Sequence, residues 1–246
     1  MRLPVTIAST VLVLSFASLG MAFSDADDAD QIVGRYLDAT KLQQEALRGV
    51  QMDVDIDANL PKLKQHGTMK VLRMVSRLGK ITYKKLGEFV GDPTVKNEVI
   101  ARYLQAETEG RENGSMAISR ANYKFRLKAK FTQKNPVTQI EQKIYVFELD
   151  PKKKKLGLFK GEIWLDGDTG MPLREAGELV KNPSLYVKKV EFVRDYEIQD
   201  GGISVPVHIK STVDVRLVGT AELSINYSNY THQDPETSDG DTPPAP

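Results

Sequence analysis

From Val50 onward the chain alternates apolar and polar residues with a period of two, and this limits its possible folds more than any other feature. Val50, Met52, Val54, Ile56, Ala58 and Leu60 interleave with Gln51, Asp53, Asp55, Asp57 and Asn59. One side of such a segment is apolar and the other acidic, the pattern of a half-buried strand. Pro61 begins a turn, and further strands are expected over residues 66–76, 79–89, 121–131, 138–149, 156–166, 171–180 and 186–199. Ile203, Val205, Val207, Ile209, Val213, Val215 and Leu217 share one face, and Ala221, Leu223, Ile225 and Tyr227 repeat it after a break at Gly219. Asp166-Gly-Asp-Thr-Gly170 and Asp200-Gly-Gly202 are hairpin signals. One-sided alternation is typical of antiparallel pairing. The expectation is a mainly β (α+β) protein with a broad antiparallel sheet of about ten strands.

Two segments have a helical period instead. Ile32, Val33, Tyr36, Leu37 and Thr40 form one stripe within residues 25–47, with Asp27 or Asp28 as the expected cap and Gly49 past the last turn. Asp92-Pro93 starts a second helix whose apolar face is Val95, Val99, Ile100, Tyr103 and Leu104. Residues 1–22 have the three parts of a cleavable signal peptide: Arg2, an apolar run from Val5 to Leu19, and small residues ending at Ala22. An uncleaved anchor is the alternative, but the run falls short of the ~20 apolar residues a bilayer requires. Residues 231–246 are acidic, rich in Pro and free of large apolar side chains, a composition that does not fold. One exported domain over residues 23–230 is the simplest organisation.

With no cysteine, disulfides, thiolate metal sites and a cysteine nucleophile are excluded. Residues 31–230 carry 33 bases and 25 acids, a net of +8 that suits an anionic surface and lacks the motifs of nucleic-acid binding. A sheet this wide must curl, close or fold onto itself. Two helices cannot cover both its faces, but they could cover the mouth of a curled sheet. The inward side chains would then be Met52, Val54, Ile56, Met69, Val71, Tyr83, Phe125, Leu127, Ile144, Val207, Ile209, Leu223 and Ile225. They would line an apolar ligand cavity or pack against each other as core. Periodicity does not separate the two.

No residue pattern argues for catalysis, a cofactor or a metal. His66, His208 and His232 stand in no ligand or triad spacing, and no nucleophile elbow, P-loop or dinucleotide fingerprint is present. Carboxylates such as Asp53, Asp55 and Glu141 could form a hydrolase site only if the fold brought them together. Asp166 to Gly170 looks superficially like a calcium loop but lacks the distal Glu, so a hairpin turn is expected. Lys152, Lys153, Lys154 and Lys155 form either a solvated turn or a docking site for lipid headgroups, extended in the second case by the strand face Lys124, Arg126, Lys128 and Lys130.

The segment GLFKGEIWLDGDTGMPLREAG, starting at Gly157, and the strands from Val187 to Tyr230 that end in a Tyr-rich edge resemble the outer-membrane lipoprotein-sorting family, the LolA-type periplasmic carriers. The resemblance implies an unclosed β-barrel with a lid of two or three helices. It further implies an interior that shelters the acyl chains of a lipid or lipoprotein, with an inner-membrane extractor, an outer-membrane acceptor and transient contact with anionic membrane. An envelope-stress sensing or regulatory module of the same fold is the alternative. The resemblance also implies an Arg near the lid, and Arg48 lies at the helix–strand junction.

Overall fold

The computed structural model describes residues 25–112, 117–134, 139–199, 202–216 and 219–232. The leader (1–22) and the acidic stretch beyond His232 lie outside them. Helix α1 (Asp25–Ala46) precedes β1 (Val50–Leu60), a 3-10 turn (Pro61–Leu63), β2 (Gln65–Val75), β3 (Ile81–Lys85) and β4 (Val90–Gly91). A continuous helical segment follows: α2 (Pro93–Val95), a π turn (Lys96–Ile100) and α3 (Ala101–Glu112). The remaining strands are β5 (Tyr123–Lys134), β6 (Glu141–Pro151), β7 (Phe159–Asp166), β8 (Pro172–Leu179), β9 (Val187–Ile198), β10 (Ser204–Val215) and β11 (Gly219–His232).

The eleven strands form one antiparallel sheet in the order β3-β2-β1-β11-β10-β9-β8-β7-β6-β5, with β4 also on β2. Its outer strands do not pair with each other, so the barrel is unclosed. Pairing of β1 with β11 (Ile56 opposite Ile225) joins the two ends of the described chain in mid-sheet. Each helical segment covers one flank of the concave face. Val95 and Ile100 lie fully buried among Met52, Val54, Ile56, Val71 and Ile225. The α1 stripe of Ile32, Val33 and Tyr36 buries against Tyr123, Phe147, Leu149 and Ile163. These are two separate apolar clusters on one sheet.

Local chemistry accounts for the boundaries. Asp92 caps the second helical segment by accepting from the Thr94 N–H at 2.7 Å, with Pro93 in the first turn. Gly49 takes φ +76° after α1, a backbone that Gly adopts without penalty. The expected cap of α1 at Asp27 or Asp28 is corrected: the helix starts at Asp25, and the Asp28 carboxylate accepts instead from the Tyr145 hydroxyl and the Lys130 ammonium. In the β7–β8 hairpin, Asp166 Oδ1 accepts from the Thr169 N–H and hydroxyl, both at 2.7 Å, and from the Asp168 N–H at 3.1 Å. This is an Asx-type turn.

The ladders carry five register shifts, and two of them bear on the inward face. Lys128 is the extra residue in β5, so Phe131 turns to the opposite face from Phe125 and meets Trp164 edge-on at 5.6 Å. Val207 is the extra residue in β10, between the pairs Pro206–Tyr196 and His208–Asp195.

Candidate functional site

A groove of about 620 Å³ opens where α1 passes over the start of β5. The stripe of α1 supplies Ala29 and Val33, and the inward faces of β5 and β6 supply Tyr123, Phe125, Leu127 and Phe147. The floor is aromatic: Phe125 lies 6.5 Å from Tyr36 and 6.4 Å from Phe147, ring centre to ring centre. The groove exists because β5 is an outer strand. Among the described residues no further strand flanks it on that side. Three bases stand at the rim, Arg120, Lys124 and Lys152, against one acid, Asp30. Arg120 donates to Asp30 at 2.7 Å, and the Lys152 ammonium donates to the Arg120 carbonyl at 2.6 Å, so the rim is braced. Burial pushes the Tyr123 phenol up to about 12, and its oxygen accepts from the Phe159 N–H. The phenol thus remains neutral beside the floor. The arrangement suits an apolar tail with an anionic head.

The concave face also carries polar groups, one set at the edge of the first cluster and one between the two clusters. The Arg73 guanidinium on β2 is buried and contacts Glu107 of α3 at 2.9 Å. Glu107 also accepts from the hydroxyls of Tyr83 (2.5 Å) and Tyr103 (3.3 Å), and the Tyr103 and Tyr227 hydroxyls lie 3.1 Å apart. Burial, with Glu107 adding to it, pushes the Tyr83 and Tyr103 phenols far up and Tyr227 up to about 12. A second pair, Arg194 of β9 with Glu175 of β8 at 3.2 Å, also contacts the Tyr196 hydroxyl. Arg194 keeps 38 % of its side-chain surface accessible, so this pair lies in a recess and not in a packed core. The middle of the concave face is therefore open and hydrogen-bonding, and the apolar groove lies to one side of it.

Of the thirteen side chains expected to face inward, Met52, Val54, Ile56, Met69, Val71, Ile209, Leu223 and Ile225 are core under the α2–α3 segment. Tyr83 packs against that cluster and reaches Glu107. Phe125 and Leu127 line the groove. Val207 sits at the β10 bulge, and Ile144 lies outside both clusters, one residue out of phase with Tyr145 and Phe147. The four lysines 152–155 are exposed, and Lys152 borders the groove. The strand face expected to extend them is dispersed. Arg126 pairs with Glu148, Lys128 with Glu162, and Lys130 crosses to Asp28 on the other side of the sheet. Asp53 and Asp55 lie on β1 and Glu141 on β6, at opposite ends of the strand order. Sequence reasoning missed Arg120 and the polar recess. Arg120 lies in a turn, and a charged residue inside a strand normally indicates the solvent face.

The fold and groove together define an open antiparallel half-barrel with helical covers and an apolar side cleft. It is similar to a LolA superfamily protein from Nitrosomonas europaea (13 % identity, 84 % of this chain and 94 % of that one, TM-score 0.37). It is also similar to a domain assigned to outer-membrane lipoprotein sorting from Vibrio parahaemolyticus (12 %, 84 % and 94 %, 0.41). A DUF1329 family protein from Desulfovibrio piger is a third (14 %, 86 % and 95 %, 0.42). At such identities and scores the likeness concerns the arrangement of elements and assigns no activity. No family profile and no curated protein sequence matches the chain.

Proposed function

We propose that this chain is a non-enzymatic periplasmic carrier that shelters an acyl chain of a lipid or lipoprotein in the groove between α1 and β5. One observation carries the reading: an apolar, aromatic floor bounded by Arg120, Lys124 and Lys152. The groove's size falls in the range of ~300–1,000 Å³ usual for small-molecule sites. Each methylene transferred from water gains ~0.8 kcal/mol, so a tail has reason to enter, and an anionic head finds bases at the mouth. Since α1 meets β5 through side chains alone, it can lift without breaking a strand pair. The apolar leader supports export, and outer-membrane sorting would add an extractor that loads the carrier and an acceptor that empties it.

The test is uptake of a fluorescent fatty acid. The Leu127→Arg change puts a charge on the floor and should weaken uptake by at least tenfold, with an unchanged circular-dichroism spectrum. Ile209→Val, in the opposite cluster, should leave uptake intact. A folded Leu127→Arg protein that binds like the parent removes the groove from consideration.

A further inference from the structure

Antiparallel pairing gathers alternate connections at each end of the sheet. One end collects the 3-10 turn after β1, the β6–β7 connection (152–158), the β8–β9 connection (180–186) and the turn from β10 into β11. They form one rim. A Cβ on Gly219 would lie 3.0 Å from the Lys62 side chain; the Arg216 N–H donates to Tyr186 O at 2.9 Å; Val180 N–H donates to Leu158 O, and Lys152 N–H to Asn122 O.

Each of three connections on this rim places an exposed apolar side chain beside lysines. Leu63 (41 % exposed) stands between Lys62 and Lys64; Leu156 (52 %) follows the four lysines; Leu185 (89 %) and Tyr186 lie between Lys181 and Lys188. Residues 61–64, 152–158 and 180–186 hold seven lysines and no acid. Leu185 is not a loose tip, because the Arg216 guanidinium donates to its carbonyl at 2.9 Å. At the other end the β7–β8 turn carries Asp168, and the exposed Leu78, with Arg77 and Lys80 beside it, and the exposed Ile140 stand in separate connections.

We infer that the rim bearing Leu63, Leu156 and Leu185 is a docking surface for an anionic bilayer, with the leucines entering the interface and the lysines at headgroup level. Charge complementarity selects that occupant. An apolar residue on a soluble surface gains nothing by itself, but among bases it adds burial to electrostatic attraction. The groove residues Arg120 and Lys152 belong to the same rim, so docking sets the cleft against the headgroups. The inference goes beyond the carrier reading and does not need it, since a membrane-docked protein with an empty groove would show the same contact.

The chain has no cysteine, so single-cysteine variants of the full chain can be labelled at one place. Leu156→Cys, Leu185→Cys and Leu78→Cys, each carrying an environment-sensitive fluorophore, are mixed with vesicles of equimolar phosphatidylglycerol and phosphatidylcholine. The labels at 156 and 185 should shift to the blue, and the label at 78 should not. High salt and pure phosphatidylcholine should suppress the shift. Lys153→Gln combined with Lys154→Gln should weaken binding by roughly twenty-five-fold, taking each base as about fivefold. Silent labels at 156 and 185, an equal shift at 78, or equal binding to neutral vesicles would overturn the docking surface. Fatty-acid uptake by the same proteins reports on the groove separately.

Discussion

Arg73 shows what one residue contributes to this interior. Its guanidinium is nearly sealed from solvent, with Glu107 of α3 as its charge partner. A buried cation left without that partner costs about 3 kcal/mol or more, because its desolvation is no longer offset. Glu107→Ala should therefore lower unfolding free energy by roughly 3 kcal/mol in urea titration. Joining Arg73→Met to Glu107→Leu should recover most of the loss, since neither charge then remains to be desolvated. The pair is better understood as fixing where α3 sits than as added stability. Glu107 also collects the Tyr83 and Tyr103 hydroxyls, so one carboxylate ties the helix to β3 and, through Tyr103, to Tyr227 on β11.

The elements differ in how they are held. The α2–α3 segment inserts Val95 and Ile100 into the core and is fastened at Glu107. Helix α1 buries one stripe, and its outer side is held by partly exposed links: Asp28 to Lys130, Asp30 to Arg120, and the Arg35 guanidinium to Gly167 O at 2.8 Å. Lys130 and Tyr145 hold the Asp28 carboxyl below the usual range, but exposed pairs of this kind add little. The β7–β8 turn is the firmer anchor. Gly170 has φ +73°, and a Cβ there would come within 2.7 Å of the Arg35 Cβ and 2.8 Å of the Tyr36 nitrogen. Gly170→Ala thus meets both backbone strain and a clash with α1. It should cost about 1–3 kcal/mol and speed amide exchange in α1 before the α2–α3 segment, as read by hydrogen exchange.

For the molecule as a whole, the two clusters share a sheet but not a core. Ile225 belongs to the first and Ile163 to the second, and the polar recess at Arg194 and Glu175 lies between. Truncating either to Ala should cost about 2–5 kcal/mol. Because the sites share no partners, the double variant should lose the sum within about 0.5 kcal/mol in equilibrium unfolding. Coupling well beyond that would mean that the recess transmits packing between the flanks. A carrier of the proposed kind would profit from such division, because α1 could move over β5 while the cluster around β1 and β11 keeps the sheet in shape.

Pleat, helical period and turn chemistry are local, so the antiparallel sheet, both helices and most turns could be read from the residues alone. The alternation of Val50 to Leu60, the Asp92-Pro93 start and the Asp166–Gly170 turn are examples. Which apolar face is filled and which is left open depends instead on contacts between distant elements. The same alternation puts Val54 in a packed core and Leu127 in a cleft; the difference is whether a helix presses on them. The bulges at Lys128 and Val207 moved Phe131 and re-aimed β10, and neither residue marks itself as a bulge. The ion pairs that dispersed the basic face of β5, and the rim that gathered lysines from three separate loops, follow from strand order. Strand order is settled by long-range packing, which no short stretch of chain encodes.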